Sequence, residues 1–354
     1  MSRKAAVVAL LLSLSACQGL GPATLAAGRG AYNDVIARTN SEQTLGLIVR
    51  MRYADPIGLL SVSSVTANLR VGANAKGEAG IGTESAYKGN LVPFSAGVSV
   101  EDNPTISYTP IEGQAFLREW LAPLSLETLV LAIQAGVNVD VILPLLVDRL
   151  NGLRCEPEAT PEEREAFGRA AALMETLRTL GVEAWIAQSG QTGHYELVLS
   201  GYAPEHTGQV EELLRLLDVS ADARGGSTIT VPVMLGPRVG GYPGLAVQTR
   251  SIAEIMRMAA RLVEVPEEHV RAGVVAPSPV LVGAAGPMLR IRSSPSAPSQ
   301  ANVAVEHRGW WYYVDDTDLV SKRLFEDIQL LFLSRLSEAT RGTQSSPVLT
   351  LPVN

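Results

Sequence analysis

The sequence predicts an α+β protein: a lipid-anchored N-terminus, a Gly-rich β-hairpin segment, a small helical bundle, then mixed α/β units with antiparallel hairpins. Three observations carry this. Apolar residues make up 46% of the 354 positions and charged residues 18%, enough to bury a core and too apolar for a disordered chain. Alternating β-favouring runs and helical periodicities fall in separate blocks. The first seventeen residues have the make-up of an export signal. A net charge of −7, from 29 basic and 36 acidic residues, argues against nucleic acid as a partner.

The N-terminus reads Met1-Ser2-Arg3-Lys4, then an apolar run from Ala5 to Leu12, then Leu14-Ser15-Ala16-Cys17. A bilayer-spanning helix takes about 20 apolar residues, so this run is too short to cross one. Leu14-Ser15-Ala16-Cys17 resembles the bacterial lipobox. That resemblance implies a signal peptide over residues 1–16 and acylation of Cys17, with palmitate among the chains. Each buried methylene adds about 0.8 kcal/mol, so several chains anchor firmly. Gln18 stands where Asp would favour the inner membrane, which implies the outer membrane, periplasmic side. The plainer alternatives are a secretory signal with an incidental cysteine, or a buried apolar helix. Gly19, Gly21, Pro22 and Gly28 make residues 17–30 a lipidated tether.

Residues 31–152 read as an N-terminal helix, a β-hairpin and a helical bundle. The helix runs from Ala31 and ends near Tyr53-Ala54-Asp55-Pro56. Leu60 to Val71 alternates, with a slip at Ser63-Ser64, and a second alternating run covers Ala96 to Thr109. Gly72, Gly77, Gly80 and Gly82 lie between them, giving a long two-stranded unit with a glycine-rich middle. Short helices follow at Glu112 to Leu121, Leu126 to Gln134 and Asp140 to Leu150, with Ser125 and Asp140 as N-caps.

Residues 153–354 read as a C-terminal α/β region. Thr160-Pro161-Glu162-Glu163 has the signature of a helix start, and that helix stops at Gly181. Strands follow at Val182 to Gln188 and Tyr195 to Leu199, then a helix from Gly208 to Leu217. Further strands are read at Thr228 to Met234 and Leu245 to Thr249, and Ser251 caps the next helix. Asn302 to Glu306 and Trp310 to Val314 form a hairpin across His307-Arg308-Gly309. The last helix sets Leu319, Phe325, Ile328, Phe332 and Leu336 on one face. Val348 to Leu351 is a closing strand. Cys155 has no neighbouring cysteine and reads as a buried, inert thiol.

Several segments together carry a wider resemblance: Leu47 to Tyr53, Val62 to Val65, Ile106 to Gly113, Gln248 to Ser251, Val265 to His269, Tyr313 to Asp318 and Pro347 to Pro352. In these the chain resembles a family of bacterial outer-membrane lipoproteins to which no activity is assigned. The resemblance implies secretion and a shared fold, and it carries no catalytic residues.

Asp315, Asp316 and Asp318, with Lys322, form the densest polar group. Three carboxylates in four residues suit a hard cation, yet the spacing is not that of an EF-hand. Their place, between a strand and a helix, suits capping of backbone N–H groups better. Trp310 and Tyr312 share one strand face, Trp311 and Tyr313 the other. One pair fills the core, unless two rings stay exposed to stack on a sugar. His194, His206, His269 and His307 have no metalloprotease spacing and read as loop or surface residues. Arg50 and Arg52, beside Tyr53, suit an anionic group. Gly236 to Gly244 lacks the lysine of a phosphate-binding loop. No metal and no cofactor is expected.

These readings favour a non-enzymatic, periplasm-facing outer-membrane lipoprotein, an interaction or assembly component of the cell envelope. Its expected partners are the membrane, through the lipid, and an envelope protein or copies of itself. A second reading makes it a subunit of an oligomeric export or efflux channel that contributes the hairpin 57–110. A third makes it a peptidoglycan-binding protein or enzyme using Trp310, Tyr312 and the aspartates.

Overall fold

The computed structural model describes residues 20–66, 69–76, 95–102, 105–111, 113–135, 138–155, 159–188, 194–223, 228–278, 289–341 and 349–352. Cys17, the signal segment and Gly77, Gly80 and Gly82 lie outside the described residues. The fold is mixed α+β with antiparallel sheets. In chain order it begins with α1 (Leu20–Arg52), β1 (Leu60–Thr66), β2 (Leu69–Lys76), β3 (Ser95–Asp102) and β4 (Thr105–Pro110). Next come α2 (Gly113–Leu121), α3 (Leu126–Gln134), α4 (Val139–Leu146), β5 (Val147–Leu150), β6 (Leu153–Arg154) and α5 (Pro161–Thr179). Then follow β7 (Glu183–Gln188), β8 (Tyr195–Ser200), α6 (Thr207–Leu216), β9 (Ile229–Leu235), β10 (Leu245–Thr249), α7 (Ile252–Arg261) and α8 (Glu267–Arg271). The chain closes with β11 (Arg292–Ser294), β12 (Ala301–His307), β13 (Trp310–Asp315), α9 (Leu319–Arg341) and β14 (Leu349–Pro352).

Two compact units result: Met1–Ile57 with Arg118–Arg335, and Gly58–Leu117 with Leu336–Asn354. A boundary after residue 152 falls inside one hairpin, between β5 and β6.

In the smaller unit β1 pairs antiparallel with β4, and β2 with β3. The two ladders follow one another, from Leu60↔Pro110 through Thr66↔Thr105 to Leu69↔Asp102 and Lys76↔Ser95. The sequence slip at Ser63-Ser64 is a register shift between Val62 and Ser64, which restores alternation beyond it. β14 adds to the other side of β4, giving the order β1-β4-β14. Pro352 lies on this edge strand, where a missing N–H is tolerated.

The larger unit holds a six-stranded sheet, β6-β5-β10-β9-β8-β7, in which β9 and β10 form the one parallel pair. Ile229, Val231 and Val233 of β9 are buried while Thr230 and Pro232 are exposed, so one face looks into the core and the other outward. Phe167, Leu173, Met174 and Leu177 line the buried side of α5, which packs on α4, α6, β6 and β7. Thr160 and Glu163 form the capping box that starts it, a device worth about 1 kcal/mol. Ser251 and Glu254 do the same for α7. Gly244 is required where β9 turns into β10, since a Cβ there would sit 2.1 Å from the Pro232 carbonyl oxygen. The buried Asn151 joins three segments: its amide donates to the Leu217 carbonyl at 2.6 Å and its oxygen accepts from Ala246 N–H at 2.8 Å. A second, three-stranded sheet has the order β11-β13-β12. α1 packs on β12 and α7, burying Leu45, Leu47, Ile48 and Val49.

Four details differ from the sequence reading. Residues 20–30, read as an irregular tether, continue α1. The helix expected over Asp140 to Leu150 stops at Leu146, and Val147–Leu150 is a strand. Asn151-Gly152 is a strong hairpin signal, and it overrides the helical spacing that precedes it. Asn138, not Asp140, precedes the first turn of α4, and Glu175 of α5 accepts the Val139 N–H at 2.9 Å. Leu319 is 63% exposed, whereas Phe325, Ile328, Phe332 and Leu336 are buried as expected. Among the described residues, no helix is long and apolar enough to cross a membrane.

Candidate functional site

The richest side-chain chemistry in the larger unit gathers where α1 ends. The helix closes on a Schellman motif: Ala54 N–H donates to the Met51 carbonyl and Asp55 N–H to that of Arg50. Ala54 takes the left-handed position at φ 54°, where glycine is usual. This turn points Tyr53 inward and Asp55 toward the β12–β13 hairpin. There Arg308 and Gly309 both have positive φ, 52° and 80°, which is the two-residue turn that hairpins favour. An arginine is costly at the first of these positions. Among the described residues the other non-glycine residues with positive φ are Asn151 and Asp218, side chains that tolerate it. The two that do not, Ala54 and Arg308, both border this cluster.

Its geometry is a double chain. Tyr53 Oη lies 2.5 Å from Tyr312 Oη and 2.7 Å from His269 Nδ1. The Tyr53 hydroxyl thus bridges the Tyr312 hydroxyl and the His269 imidazole. Burial pushes both phenols up from their ordinary pKa, Tyr312 the further, and both stay neutral. The second chain is ionic. Arg308 grips Asp55 through Nη2 at 2.6 Å and Nε at 3.1 Å, and His307 Nε2 donates to the same carboxylate at 2.8 Å. The Arg308 bond, and then the His307 bond, hold the Asp55 carboxyl below the usual range against its desolvation. The Arg308 guanidinium also lies 5.2 Å from the centre of the Tyr53 ring. On the far side Trp310 donates its indole N–H to Glu268 and meets His269 edge to face. Arg52 Nη2 donates to the Ala276 carbonyl at 2.6 Å.

The sequence-predicted residues divide. Tyr312 is fully buried and Trp310 half-buried, and both belong to this cluster. Asp315, Asp316, Asp318 and Lys322 lie at the other end of β13. Asp318 caps α9, accepting from Ser321 N–H at 3.1 Å and Ser321 Oγ at 2.8 Å. Asp315 accepts from Thr317 N–H and Oγ1 and from Arg292, while Lys322 Nζ reaches Asp316 at 2.5 Å. Each carboxylate therefore shapes the turn, and among the described residues no group of three or more His, Cys, Asp or Glu could hold a metal ion. Arg50 Nη1 donates to the Pro56 carbonyl at 3.4 Å.

Sequence reasoning missed Tyr53, Asp55, His269, His307 and Arg308 as a set. The histidines, read as loop or surface residues, have side chains only 12% and 17% exposed at positions 269 and 307. The available signal was Arg308-Gly309: a two-residue turn that uses arginine in place of Asn or Asp holds that residue for its side chain. A groove of about 530 Å³, lined by Ser125, Leu126, Tyr195, Met234 and Tyr242, lies away from this cluster. Comparison with family models, with curated proteins and with solved structures returned no match.

Proposed function

We propose that the chain is a non-enzymatic lipoprotein of the bacterial outer membrane, anchored through Cys17 on the periplasmic side. It serves as an interaction or assembly component of the cell envelope, bound to an envelope protein or to further copies of itself. The resemblance to outer-membrane lipoproteins supports the compartment. The observation that supports the role is the clamp at the end of α1. A helix of 33 residues is about 50 Å long. It starts three positions after the lipidated cysteine. Asn33, Asp34, Val35, Arg38 and Thr39 are exposed, and full burial begins at Thr44. Such a helix suits a strut between membrane and body. The Tyr53–Asp55 cluster fastens its end to β12–β13 and α8 with bonds made inside the chain, which suits a joint better than a reaction centre.

The docking edges are those of the β1-β4-β14 sheet. β1 and β14 are the outer strands of that order, and a sheet edge can accept a further strand. The same sheet favours the second reading, a strand contribution to a channel shared between chains. The peptidoglycan reading has less support, because Tyr312 is buried, Asp318 caps α9, and Asp315 and Asp316 are bonded within the chain.

Metabolic labelling with palmitate tests the anchor. Label and membrane association are expected for the wild type and lost in Cys17→Ser; an unlabelled, freely soluble wild type overturns the reading. Photocrosslinkers at Val35 and in β14 test the role. Adducts with an envelope protein or a second copy are expected; their absence at both positions overturns it.

A further inference from the structure

The β5–β6 hairpin sets two arginines opposite one another. Leu150 pairs with Leu153 across the turn, and Arg149 with Arg154. Cys155 N–H donates to the Asp148 carbonyl at 2.8 Å, so the 148/155 pair is hydrogen-bonded. The Arg149/Arg154 pair beside it is then the non-hydrogen-bonded kind. In such pairs opposite α-carbons come closest, about 4.5 Å, and the side chains share a face. On its other side Arg149 stands opposite Gln248 of β10. Three strands thus bring Arg154, Arg149 and Gln248 into one row. Alternation puts this row on the face opposite the core-facing Val231 and Val233, since Gln248 shares its side with Ala246, and Ala246 pairs with Met234; Ala246 is buried, while Arg149, Arg154 and Gln248 are each partly exposed.

Two other arginines meet carboxylates: Arg250, directly after β10, with Asp148 at 3.0 Å, and Arg292 of β11 with Asp315 at 3.2 Å. Here, among the described residues, no carboxylate pairs with Arg149 or Arg154. Arg149 Nε is shut off from solvent with no acceptor. Like charges directly opposite destabilise a sheet, and an orphaned buried donor adds to that. Both costs vanish if an anion completes the row.

We infer that Arg154, Arg149 and Gln248 form a binding site for a phosphate-type oxyanion. Two planar guanidinium forks and a carboxamide offer more donors than the two oxygens of a carboxylate accept, and a tetrahedral phosphate matches them. The site is independent of the strut and of the lipid anchor. The full chain in detergent is titrated at constant ionic strength, with inorganic phosphate in one arm and phosphatidylglycerol micelles in the other. Saturation and a raised unfolding temperature in either arm support the site. The first arm alone identifies a free ion; the second alone identifies a lipid headgroup. Arg149→Gln and Arg154→Gln should each weaken binding at least tenfold, and should unfold at a higher temperature than the wild type without ligand. Arg154→Lys, which keeps the charge and loses the fork, should bind between the two and carries the test if a Gln variant fails to fold. Unchanged affinity in Arg154→Gln, or no binding in either arm, overturns the proposal.

Discussion

Strand β13 has a polar cluster at each end, and the two are built on opposite plans. At its end, Asp315, Asp316 and Asp318 find most of their partners within six residues, in Thr317, Ser321 and Lys322. At its start, Tyr312 and the flanking His307 and Arg308 reach back to Tyr53 and Asp55, more than 250 positions earlier. The first cluster is dense in sequence and shapes one turn. The second is sparse in sequence and holds three elements together. Density of charge along a chain therefore says little about which cluster matters to the tertiary fold. A single hydroxyl at long range ties more structure than three neighbouring carboxylates.

Truncation at the clamp should break this contrast most severely. Tyr312→Ala empties a fully buried ring position and should cost about 3–5 kcal/mol. Tyr312→Phe, which removes the hydroxyl alone, should cost about 1 kcal/mol. Urea unfolding of the larger unit measures both, and equal losses would mean that the hydroxyl chain dominates over packing. Asp55→Ala comes next. It leaves His307 and Arg308 without their acceptor and should cost about 2 kcal/mol, toward the low end for charged bonds because the Arg308 side is open to solvent.

The acid dependence of that loss has a definite sign. The Asp55 carboxyl titrates lower in the folded chain than in the unfolded one. Its contribution is therefore complete above the ordinary carboxylate range and lost as pH falls through the folded value. The gap in unfolding temperature between wild type and Asp55→Asn should narrow as pH falls below the ordinary carboxylate value and close only below the lower, folded one. A gap that persists in acid would sink the ionic account. At the local cluster, Asp318→Ala should cost only about 1 kcal/mol, the usual value of a lost N-cap, and circular dichroism should place the loss in α9. The smallest effect should be a gain: Ala54→Gly relieves a left-handed alanine and should stabilise by about 0.5–1 kcal/mol.

Local elements were legible in the sequence and long-range assembly was not. Caps at Ser125, Thr160 and Ser251, the stop at Gly181, the slip at Ser63-Ser64 and the β12–β13 hairpin each rest on interactions within a few residues, so the local sequence specifies them. The capping role of Asp318 was readable for the same reason. The α4–β5 junction misled because a helical spacing ran directly into an Asn-Gly turn. The clamp was illegible for a different cause: its members are ordinary residues singly, and only the packing of α1 on β12 brings them together. Arg149 and Arg154 were hidden in turn by the misplaced helix, since no cross-strand pair exists until β5 is a strand.

The position of β14 has a consequence in time. β4 is synthesised early, but its second neighbour is made only after every helix and strand of the larger unit. A chain that emerges from its N-terminus therefore carries β4 with one bare edge while the other unit is already able to fold. Closing that edge is a contact of very long sequence separation, and such contacts form slowly. The smaller unit is the last to be finished, and during that interval a β14 strand from another chain can take the vacant place. The order of synthesis thus makes the β4–β14 pairing the last contact of the sheet to be closed.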